Sequence, residues 1–195
     1  MTQTYLWEAS KGYPQKCIGA YDHDHLPDYL LFRRGLKISS EQLFTQPILT
    51  FECSKDELKA YDCLLSVIPA PVVNQRLAEV LKKHAADDIQ LLDIKLVCED
   101  GEMEGYRIVN VIHTIRGIDH ERSVYTKYKD KFIISLKRLV LKPGCMGRYQ
   151  LAREEEDKGH LLVSQSLYDI LQAYRFKGVR LVTPEDYYEG LFRMV

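Results

Sequence analysis

The sequence lacks the short motifs by which many metal proteins, hydrolases and nucleotide-binding proteins are recognised. Its 195 residues contain no CxxC, no HExxH, no GxSxG and neither of the glycine-rich loops GxxxxGK[ST] and GxGxxG. Zinc knuckles, zincin-type metalloproteases, nucleophile elbows and phosphate-cradling loops depend on those spacings. A catalytic site in this chain would therefore have to be assembled from residues that lie far apart in the sequence.

The chain also lacks a charge excess and a long apolar run, and we expect no secretory signal. Its 27 basic and 28 acidic side chains give a net charge of −1, whereas a dedicated nucleic-acid binder normally carries a strong basic excess. No apolar run approaches the roughly 20 residues that span a bilayer. The start, MTQTYLWEASKGYPQK, has no basic region followed by an apolar one. We therefore expect a cytoplasmic protein that has no cofactor. We also expect it to bind neither nucleic acid nor membranes.

The cysteines are odd in number and widely spaced, which does not indicate a disulfide framework. There are five of them: Cys17, Cys53, Cys63, Cys98 and Cys145. Disulfides are rare in the reducing cytosol, where a thiol behaves as a small apolar side chain. We expect these cysteines to be reduced and to act mostly as small hydrophobic residues.

The composition favours a folded domain with a sizeable core, because hydrophobic residues make up 46% of the chain. Turn signals recur through residues 1–47, at KGYP, LPDY, RRGLK and TQP. We therefore predict a loop-rich N-terminal region, 1–47, packed on the same domain as an α+β region that comprises residues 48–195.

The α+β region begins with a strand followed by a helix. ILTFEC (48–53) has the β-branched and aromatic content of a strand. Ser54 and Glu57 then stand three residues apart, as in a capping box, in which each side chain bonds the other residue's backbone N–H. Apolar residues at helical spacing continue to Leu65, so a helix is predicted from this serine onwards.

Two segments of the chain resemble each other. VNQRLAEVLKKHAADDIQLL (73–92) and VSQSLYDILQAYRFKGVRLV (163–182) align without a gap. Asn74 and Ser164 are both good helix N-caps, and a one-sided apolar stripe follows each. Gly178 suits the left-handed position that ends the second helix. We predict a repeated helix–strand unit at 73–92 and 163–182, each copy burying its apolar face against the rest of the protein.

Further strands are predicted between and beside the two copies. LLDIKLV and YRIVNVIHTI (106–115) form a hairpin in which the acidic segment CEDGEMEG (98–105) is a long loop. KFIISLKRLVLK (131–142) is another strand. The predicted fold class is therefore α+β, with a mainly antiparallel sheet and helices packed on one face.

The segment NVIHTIRGIDHERS (110–123) is the stretch most suggestive of chemistry. If residues 106–115 form one strand, His113 shares its apolar face with Val109, Val111 and Ile115 and is a core histidine. Asp119 to Glu121 then follow on a turn, where adjacent side chains diverge and do not close a tetrahedral metal site.

A second histidine-rich segment, YDHDH (21–25), offers the alternative metal site. His23 and His25 would share one face if the segment were extended. Because Pro27 follows and no third ligand is nearby, we expect a surface loop. The alternative hypothesis is a metal-dependent hydrolase that uses His23, His25, His113 or His120.

Several segments of the chain together resemble a bacterial family first described as a domain of unknown function and later assigned to immunity proteins of polymorphic-toxin systems, the eleventh family in that series. The resemblance covers residues 48–184. It rests on Val73-Asn74, Tyr106, Asn110, Asp119, Glu121, Ser123, the basic–apolar strand at 137–141, and the Val163-Ser164 cap leading to Gly178. Asn74 departs from the serine that is more usual in the family, and residues 1–47 contribute no matched motif.

The resemblance implies a cytoplasmic protein that binds and neutralises a cognate secreted toxin. We expect it to act by occluding the toxin's active site and not to be an enzyme. An adaptor or chaperone for a secreted effector is the other alternative, and a homo-oligomer is compatible with the sequence. For a basic toxin, the natural contacts are two acidic segments. Their residues are Glu99, Asp100, Glu102 and Glu104, and Glu154, Glu155, Glu156 and Asp157. The aromatic residues Tyr187, Tyr188 and Phe192 near the end of the sequence are expected to pack back onto the fold.

Overall fold

The computed structural model describes residues 2–128 and 132–187, and within them the chain forms short strands and three α-helices. The helices are α1 (Lys55–Lys59), α2 (Gln75–His84) and α3 (Gln165–Tyr174). The strands are β1 (Thr4–Glu8), β2 (Ile48–Thr50), β3 (Cys63–Leu64), β4 (Val72–Asn74), β5 (Ile89–Cys98), β6 (Gly101–Val111), β7 (Thr114–Ile115), β8 (Val124–Tyr128), β9 (Phe132–Arg138), β10 (Leu151–Glu154), β11 (Leu161–Ser164) and β12 (Arg180–Val182).

These strands form two five-stranded sheets and one hairpin. The first sheet has the order β2-β5-β6-β4-β3, the second has the order β12-β1-β11-β10-β7, and β8 pairs with β9. Neighbours are antiparallel except for β2 with β5 and β7 with β10. The predicted α+β class with mostly antiparallel pairing is therefore confirmed.

The two segments that resemble each other in sequence adopt the same split β-α-β arrangement. In the first copy, β4 and β5 are joined by α2 and lie on either side of β6. In the second, β11 and β12 are joined by α3 and lie on either side of β1. The middle strand is antiparallel to both flanking strands in each copy. In the sequence, the middle strand of the first copy (β6) comes after that copy, whereas the middle strand of the second copy (β1) comes before it.

The register of the strands confirms the predicted repeat. Ile108 of β6 pairs with Val72 on one side and Leu92 on the other. Leu6 of β1 pairs with Leu162 and Val182, which are the counterparts of those two residues in the sequence alignment. The correspondence extends to the next strand, because β3 lies against β4 as β10 lies against β11.

Both repeated helices begin at the predicted caps. The side chain of Asn74 accepts a hydrogen bond from the Leu77 N–H at 3.0 Å, and that of Ser164 accepts one from the Leu167 N–H at 3.2 Å. Each cap satisfies a donor that the helix itself leaves unpaired, which contributes about 1 kcal/mol. The leucines that follow are fully buried.

Three apolar clusters fill the interior. One contains side chains of α2, α3 and both sheets, so the two repeated units share a core. A second joins the other face of the first sheet to residues of the N-terminal region, including Cys17, Leu31 and Phe32. The third joins the second sheet to β9 and the segment after it.

Four features differ from the sequence predictions. The predicted loop-rich region 1–47 contains β1, whose partner strands β11 and β12 lie at the other end of the chain, so nothing nearby in the sequence marks it as central. The helix after Ser54 has the predicted capping box but ends at Lys59 instead of continuing to Leu65. The next residues leave the helix because the Asp62 and Cys63 N–H groups bond the Lys177 carbonyl, a contact between distant segments.

The acidic segment 98–105 is not a long loop, because Cys98 pairs with Gly101 across a turn made by Glu99 and Asp100. Gly101 adopts a φ of 115°, which a residue with a side chain rarely reaches. The predicted strand 106–115 is also two strands. β6 ends at Val111 in the first sheet, and β7 begins at Thr114 in the second, because the Arg153 and Glu155 N–H groups draw this segment to β10.

Candidate functional site

The first predicted acidic segment lies at the tip of the β5–β6 hairpin, and its four carboxylate-bearing residues are all exposed. We call Glu99, Asp100, Glu102 and Glu104 the acidic tip. Met103 lies between the two strand glutamates and points into the core, because successive side chains on a strand face opposite sides. The glutamates on either side of it therefore share the outer face.

The acidic tip is held in place by local bonds. The carboxylate of Asp100 accepts the Lys55 N–H at 2.9 Å, at the first turn of α1, where the helix presents unpaired donors. Glu102 pairs with Lys95 on the adjacent strand. The backbone N–H of Glu99 bonds the Cys53 carbonyl at 3.2 Å. The tip thus presents its charges from a fixed backbone.

The second predicted acidic segment, residues 154–157, begins at the last residue of β10 and is largely paired. The Glu155 carboxylate is 3.0 Å from the Arg116 guanidinium, which holds the pKa of that carboxyl below its usual range. Glu156 contacts Lys127 at 3.2 Å and His120 at 2.8 Å. Both glutamates remain partly exposed.

Glu154 and Asp157 lie inside this turn. Glu154 is 1% exposed, and its carboxylate accepts the backbone N–H groups of Glu156 and Asp157. Burial raises the pKa of the Glu154 carboxyl. Asp157, which is 9% exposed, lies between His160 and Arg33 at 3.2 Å and 3.6 Å. These two residues shape the turn, and the exposed charge comes from the two glutamates between them.

His113 lies at the crossing between the two sheets and not on the core face of a strand. Its Nε2 is 2.9 Å from the Asp87 carbonyl and 3.8 Å from the Asp88 carboxylate, and its ring lies 4.6 Å from that of Tyr149. The predicted packing against Val109, Val111 and Ile115 is therefore wrong, because β6 ends before His113 is reached. His113 instead links the segment after α2 to the point where the chain passes from the first sheet to the second.

The rest of that segment is the predicted turn. Asp119 accepts the Glu121 and Arg122 N–H groups at 3.1 and 3.2 Å. Ser123 bonds both the N–H and the carbonyl of Val140, so it joins the turn to a distant segment. His120 lies beside the Tyr125 hydroxyl at 2.8 Å.

His23 and His25 lie in a surface turn. The Asp22 carboxylate accepts the Asp24 and His25 N–H groups and is 2.9 Å from the His25 ring nitrogen. The His23 ring lies edge-on to Tyr29 at 4.5 Å. Across residues 2–128 and 132–187, no three histidine, cysteine, aspartate or glutamate side chains come close enough together to hold a metal ion. The four histidines of the hydrolase hypothesis occupy three separate segments.

A cleft of about 780 Å³ opens where β1, β11 and β12 meet the loop before β4. Its wall includes Trp7, which is the only tryptophan in the sequence, together with Tyr13 and Ile68. Tyr187 also lines it, with its ring edge-on to that of His160 at 4.8 Å. Tyr188 and Phe192 lie outside the described residues.

Charged residues of alternating sign line this cleft. Glu8 pairs with Arg180 across β1 and β12, and His160 directly precedes β11 on the other side of β1. Burial raises the pKa of the Glu8 carboxyl, and the nearby His160 and Arg180 lower it in part. Beyond His160 come Asp157 and then Arg33. The cleft wall is thus largely charge-compensated.

Arg153 supports the cleft from behind. It is fully buried, and its guanidinium donates to the carbonyls of Phe32, Pro69 and Lys158 at 2.6, 2.7 and 2.8 Å. Burial, with a contribution from Arg33, lowers the pKa of Arg153 to about 9, so the group is still protonated at neutral pH. The arginine therefore ties together three segments that are distant in sequence.

Sequence reasoning did not single out Glu8, His160 or Arg153. None of them belongs to a motif, and Glu8 comes near His160 and Arg180 because β1 inserts between β11 and β12. The one available signal was a lone arginine within the apolar and acidic segment LAREEED (151–157).

The described residues form an α+β protein with a duplicated helix–strand unit and charged surface segments held by local bonds. The chain belongs to the immunity protein family Imm11, whose family model matches residues 5–186. The resemblance seen in residues 48–184 is confirmed, and the match also includes β1. No curated protein matches the chain.

Family membership supports an immunity role and, with it, a toxin as the binding partner. An immunity family also favours a role other than catalysis. Within the part of the chain that the structure describes, no helix is both long and apolar enough to cross a membrane.

Proposed function

We propose that this protein binds a cognate secreted toxin in the cytoplasm and neutralises it by covering the toxin's active site. The observation that carries the proposal is the match of an immunity family to residues 5–186. Neutralisation by occlusion requires a stable interface, typically roughly 800 Å² on each partner. The protein offers fixed charged surfaces on which such an interface can form.

The acidic tip is the proposed first contact with a basic toxin. Its carboxylates are exposed, and the turn that carries them is anchored to α1 through Asp100 and to the adjacent strand through Glu102. Complementary charge accelerates the encounter of two proteins and orients them before close contact. Glu155 and Glu156 remain secondary candidates, whereas Glu154 and Asp157 act by shaping the turn between them.

The first experiment tests neutralisation itself. The toxin encoded beside this protein is expressed in cells with and without it, and the activity of the purified toxin is measured with increasing amounts of the protein. Loss of toxin activity at a fixed molar ratio is expected. An adaptor or chaperone would instead form a complex in which the toxin stays active, and that outcome would reject the proposal.

The second experiment tests the acidic tip. The variant Glu99→Lys/Glu104→Lys reverses two exposed charges, and Glu41→Lys/Glu185→Lys reverses two exposed charges elsewhere as a control. The tip variant should associate with the toxin about tenfold more slowly at low salt, with a smaller difference at high salt because salt screens exposed charges. Equal association rates for the two variants would exclude the tip as a contact.

A further inference from the structure

The duplication allows one corner of the fold to be compared with its counterpart. We call Tyr174–Lys177 the α3 corner and His84–Asp87 the α2 corner, because each leads from its helix towards the next strand. Aligning α2 with α3 places these two segments opposite each other without a gap. Whatever both corners share is required by the fold, and whatever differs calls for another explanation.

Both corners hold the N–H groups at equivalent positions of the neighbouring strand, one through a backbone carbonyl and the other through a carboxylate. The Lys177 carbonyl accepts the N–H groups of Asp62 and Cys63 at 2.8 and 3.1 Å. In the other copy, the Asp88 carboxylate accepts the N–H groups of Gln150 and Leu151 at 2.6 and 3.1 Å. Neither closure uses a side chain of the two corner segments, which read His-Ala-Ala-Asp in the α2 corner and Tyr-Arg-Phe-Lys in the α3 corner. Closing the corner therefore does not require large aromatic and cationic side chains.

The aromatic rings of the α3 corner are held in order by cations. Tyr174 and Phe176 are stacked, with ring centroids 5.3 Å apart and planes 5° from parallel. The Arg76 guanidinium lies 4.6 Å from the Phe176 ring and donates to the Tyr174 carbonyl at 2.9 Å. The counterpart of Arg76 in α3 is Ser166, which has no such reach. Tyr174 itself is 43% exposed.

A second cation–aromatic contact continues this surface. The Lys177 ammonium lies 4.6 Å from the Tyr61 ring, and Tyr61 lies 4.4 Å from Tyr13. Such contacts reduce the side-chain motion that binding would otherwise have to remove. Tyrosine and arginine are also the residue types that most often dominate binding energy at protein interfaces.

The surface carries an excess of positive charge. Arg76, Arg175 and Lys177 are exposed, whereas Asp62, which pairs with Arg76, is mostly buried. That carboxylate already accepts bonds from Arg76, the Asn74 side chain and the Lys177 N–H. The α3 corner therefore complements an acidic surface.

The α3 corner and the acidic tip lie at the same end of the first sheet. Asp100 of the tip bonds the N–H of Lys55 at the start of α1, and Tyr61 of the corner surface follows soon after α1. The Tyr106 hydroxyl donates to the Tyr61 carbonyl at 3.0 Å, which fixes β6 against this segment. With five residues, α1 is about 8 Å long, so one standard interface can include both surfaces.

We propose that the α3 corner, with Arg76 and Tyr61, is a second part of the toxin-binding surface and contacts an acidic patch on the toxin. This inference rests on the proposed function. The partner face would then be basic opposite the tip and acidic opposite the corner. Opposite charges in two zones fix the orientation of binding, because a rotated partner would place like charges together.

The test compares charge reversals at the α3 corner and in the last turn of α2. Arg175→Glu/Lys177→Glu reverses two exposed charges at the α3 corner, and Lys82→Glu/Lys83→Glu reverses two exposed charges at the end of α2. Both variants change the net charge equally and place glutamates near a helix C-terminus, so their interaction with the helix dipole is similar. Tyr174→Ala tests the exposed ring. Binding to the purified toxin is followed at low and high salt, and thermal unfolding confirms that each variant folds.

The α3-corner variant should associate about tenfold more slowly at low salt, while the α2 control stays within about twofold of the unmodified protein. Tyr174→Ala should raise the dissociation rate about tenfold, which corresponds to about 1.4 kcal/mol. Equal rates for the two charge variants, with the unmodified protein binding normally, would overturn this inference alone. Absence of binding by the unmodified protein would overturn the proposed function as well.

Discussion

Asp88 and Gly178 occupy equivalent positions in the two copies of the duplicated unit and close the same corner by opposite means. Asp88 reaches the neighbouring strand with its carboxylate, which accepts two backbone N–H groups. Gly178 has no side chain, and this lets the preceding carbonyl, that of Lys177, approach the matching N–H groups directly. The Asp88 side chain therefore makes the contact in the first copy, whereas the Lys177 backbone carbonyl makes it in the second.

This relationship predicts that Gly178→Ala is strongly destabilising. A Cβ at position 178 would lie 2.1 Å from the Cys63 carbonyl oxygen, and φ is +90°. We expect a loss of about 3 kcal/mol or more in the free energy of unfolding, measured by denaturant titration. Gly144→Ala is the control, because φ is +68° there but a Cβ would meet nothing within 4 Å, so it isolates the backbone term of about 1 kcal/mol. Similar losses at both sites would contradict the steric explanation.

In the other copy, two substitutions of Asp88 should lower the free energy of unfolding by different amounts. Asp88→Ala removes the acceptor of two buried N–H groups and should cost about 2–4 kcal/mol of unfolding free energy. Asp88→Asn keeps an oxygen acceptor but loses its charge, so it should cost roughly half as much. The measurement is equilibrium unfolding in urea at neutral pH. If the asparagine variant were as unstable as the alanine variant, charge and not acceptor geometry would be the dominant contribution.

The sequence predicted those parts of the fold that depend on local chemistry. The caps at Asn74 and Ser164, the capping box at Ser54 and the helical stripes are all short-range patterns, and the repeat followed from them. β1 was missed because a five-residue strand near the chain start is defined by partners roughly 160 positions away. The acidic composition of the hairpin tip is typical of a long loop. Gly101 and Gly105 nevertheless adopt the positive φ values that allow a tight turn and a bulge.

The candidate site was predictable in the same limited sense. The exposed acidic tip was found because its residues are adjacent in sequence. In the second acidic segment, composition could not separate Glu154, which is buried, from Glu155, which is partly exposed, since only the tertiary fold decides that. The α3 corner could not be predicted from the sequence, because only the tertiary fold brings Arg76 and Tyr61 beside it.

Glu8 gives a pH-dependent prediction. Burial raises the folded-state pKa of its carboxyl above the unfolded value, so the folded form holds its proton more tightly. The cost of ionising Glu8 is absent below the unfolded pKa, grows as pH rises through the folded pKa and is fully present above it. Glu8→Gln should therefore raise the melting temperature near pH 7, and the gain should shrink towards about pH 4. Glu41→Gln, at an exposed site, is the control and should show no such trend.

The cysteines should react slowly in the folded protein. Four of the five are buried, and burial raises the pKa of Cys53 and Cys63 to about 12. Only Cys145 is partly exposed, although burial raises the pKa of its thiol as well. A thiol reagent at about pH 8 should label Cys145 first, and Cys145→Ser should remove that phase. All five thiols should react in denaturant, and fast labelling of several thiols in the native protein would contradict this packing.

Arg153 predicts a specific loosening of the cleft. Its guanidinium donates to the carbonyls of Phe32, Pro69 and Lys158, and a lysine ammonium has neither the planar shape nor the spread to reach all three. Arg153→Lys should lower the free energy of unfolding by about 2–4 kcal/mol, because buried carbonyls lose their donors. Arg153→Met removes every donor and should cost at least as much.

Hydrogen exchange of the three segments that Arg153 joins tests this role separately from global stability. Under conditions where Arg153→Lys is still folded, exchange should accelerate at residues 30–34, 67–70 and 157–160, while the shared core around α2 and α3 keeps its protection. Arg148→Lys is the matched control, since Arg148 is exposed. Uniform acceleration across the whole chain, or none at those three segments, would show that the arginine does not hold them together.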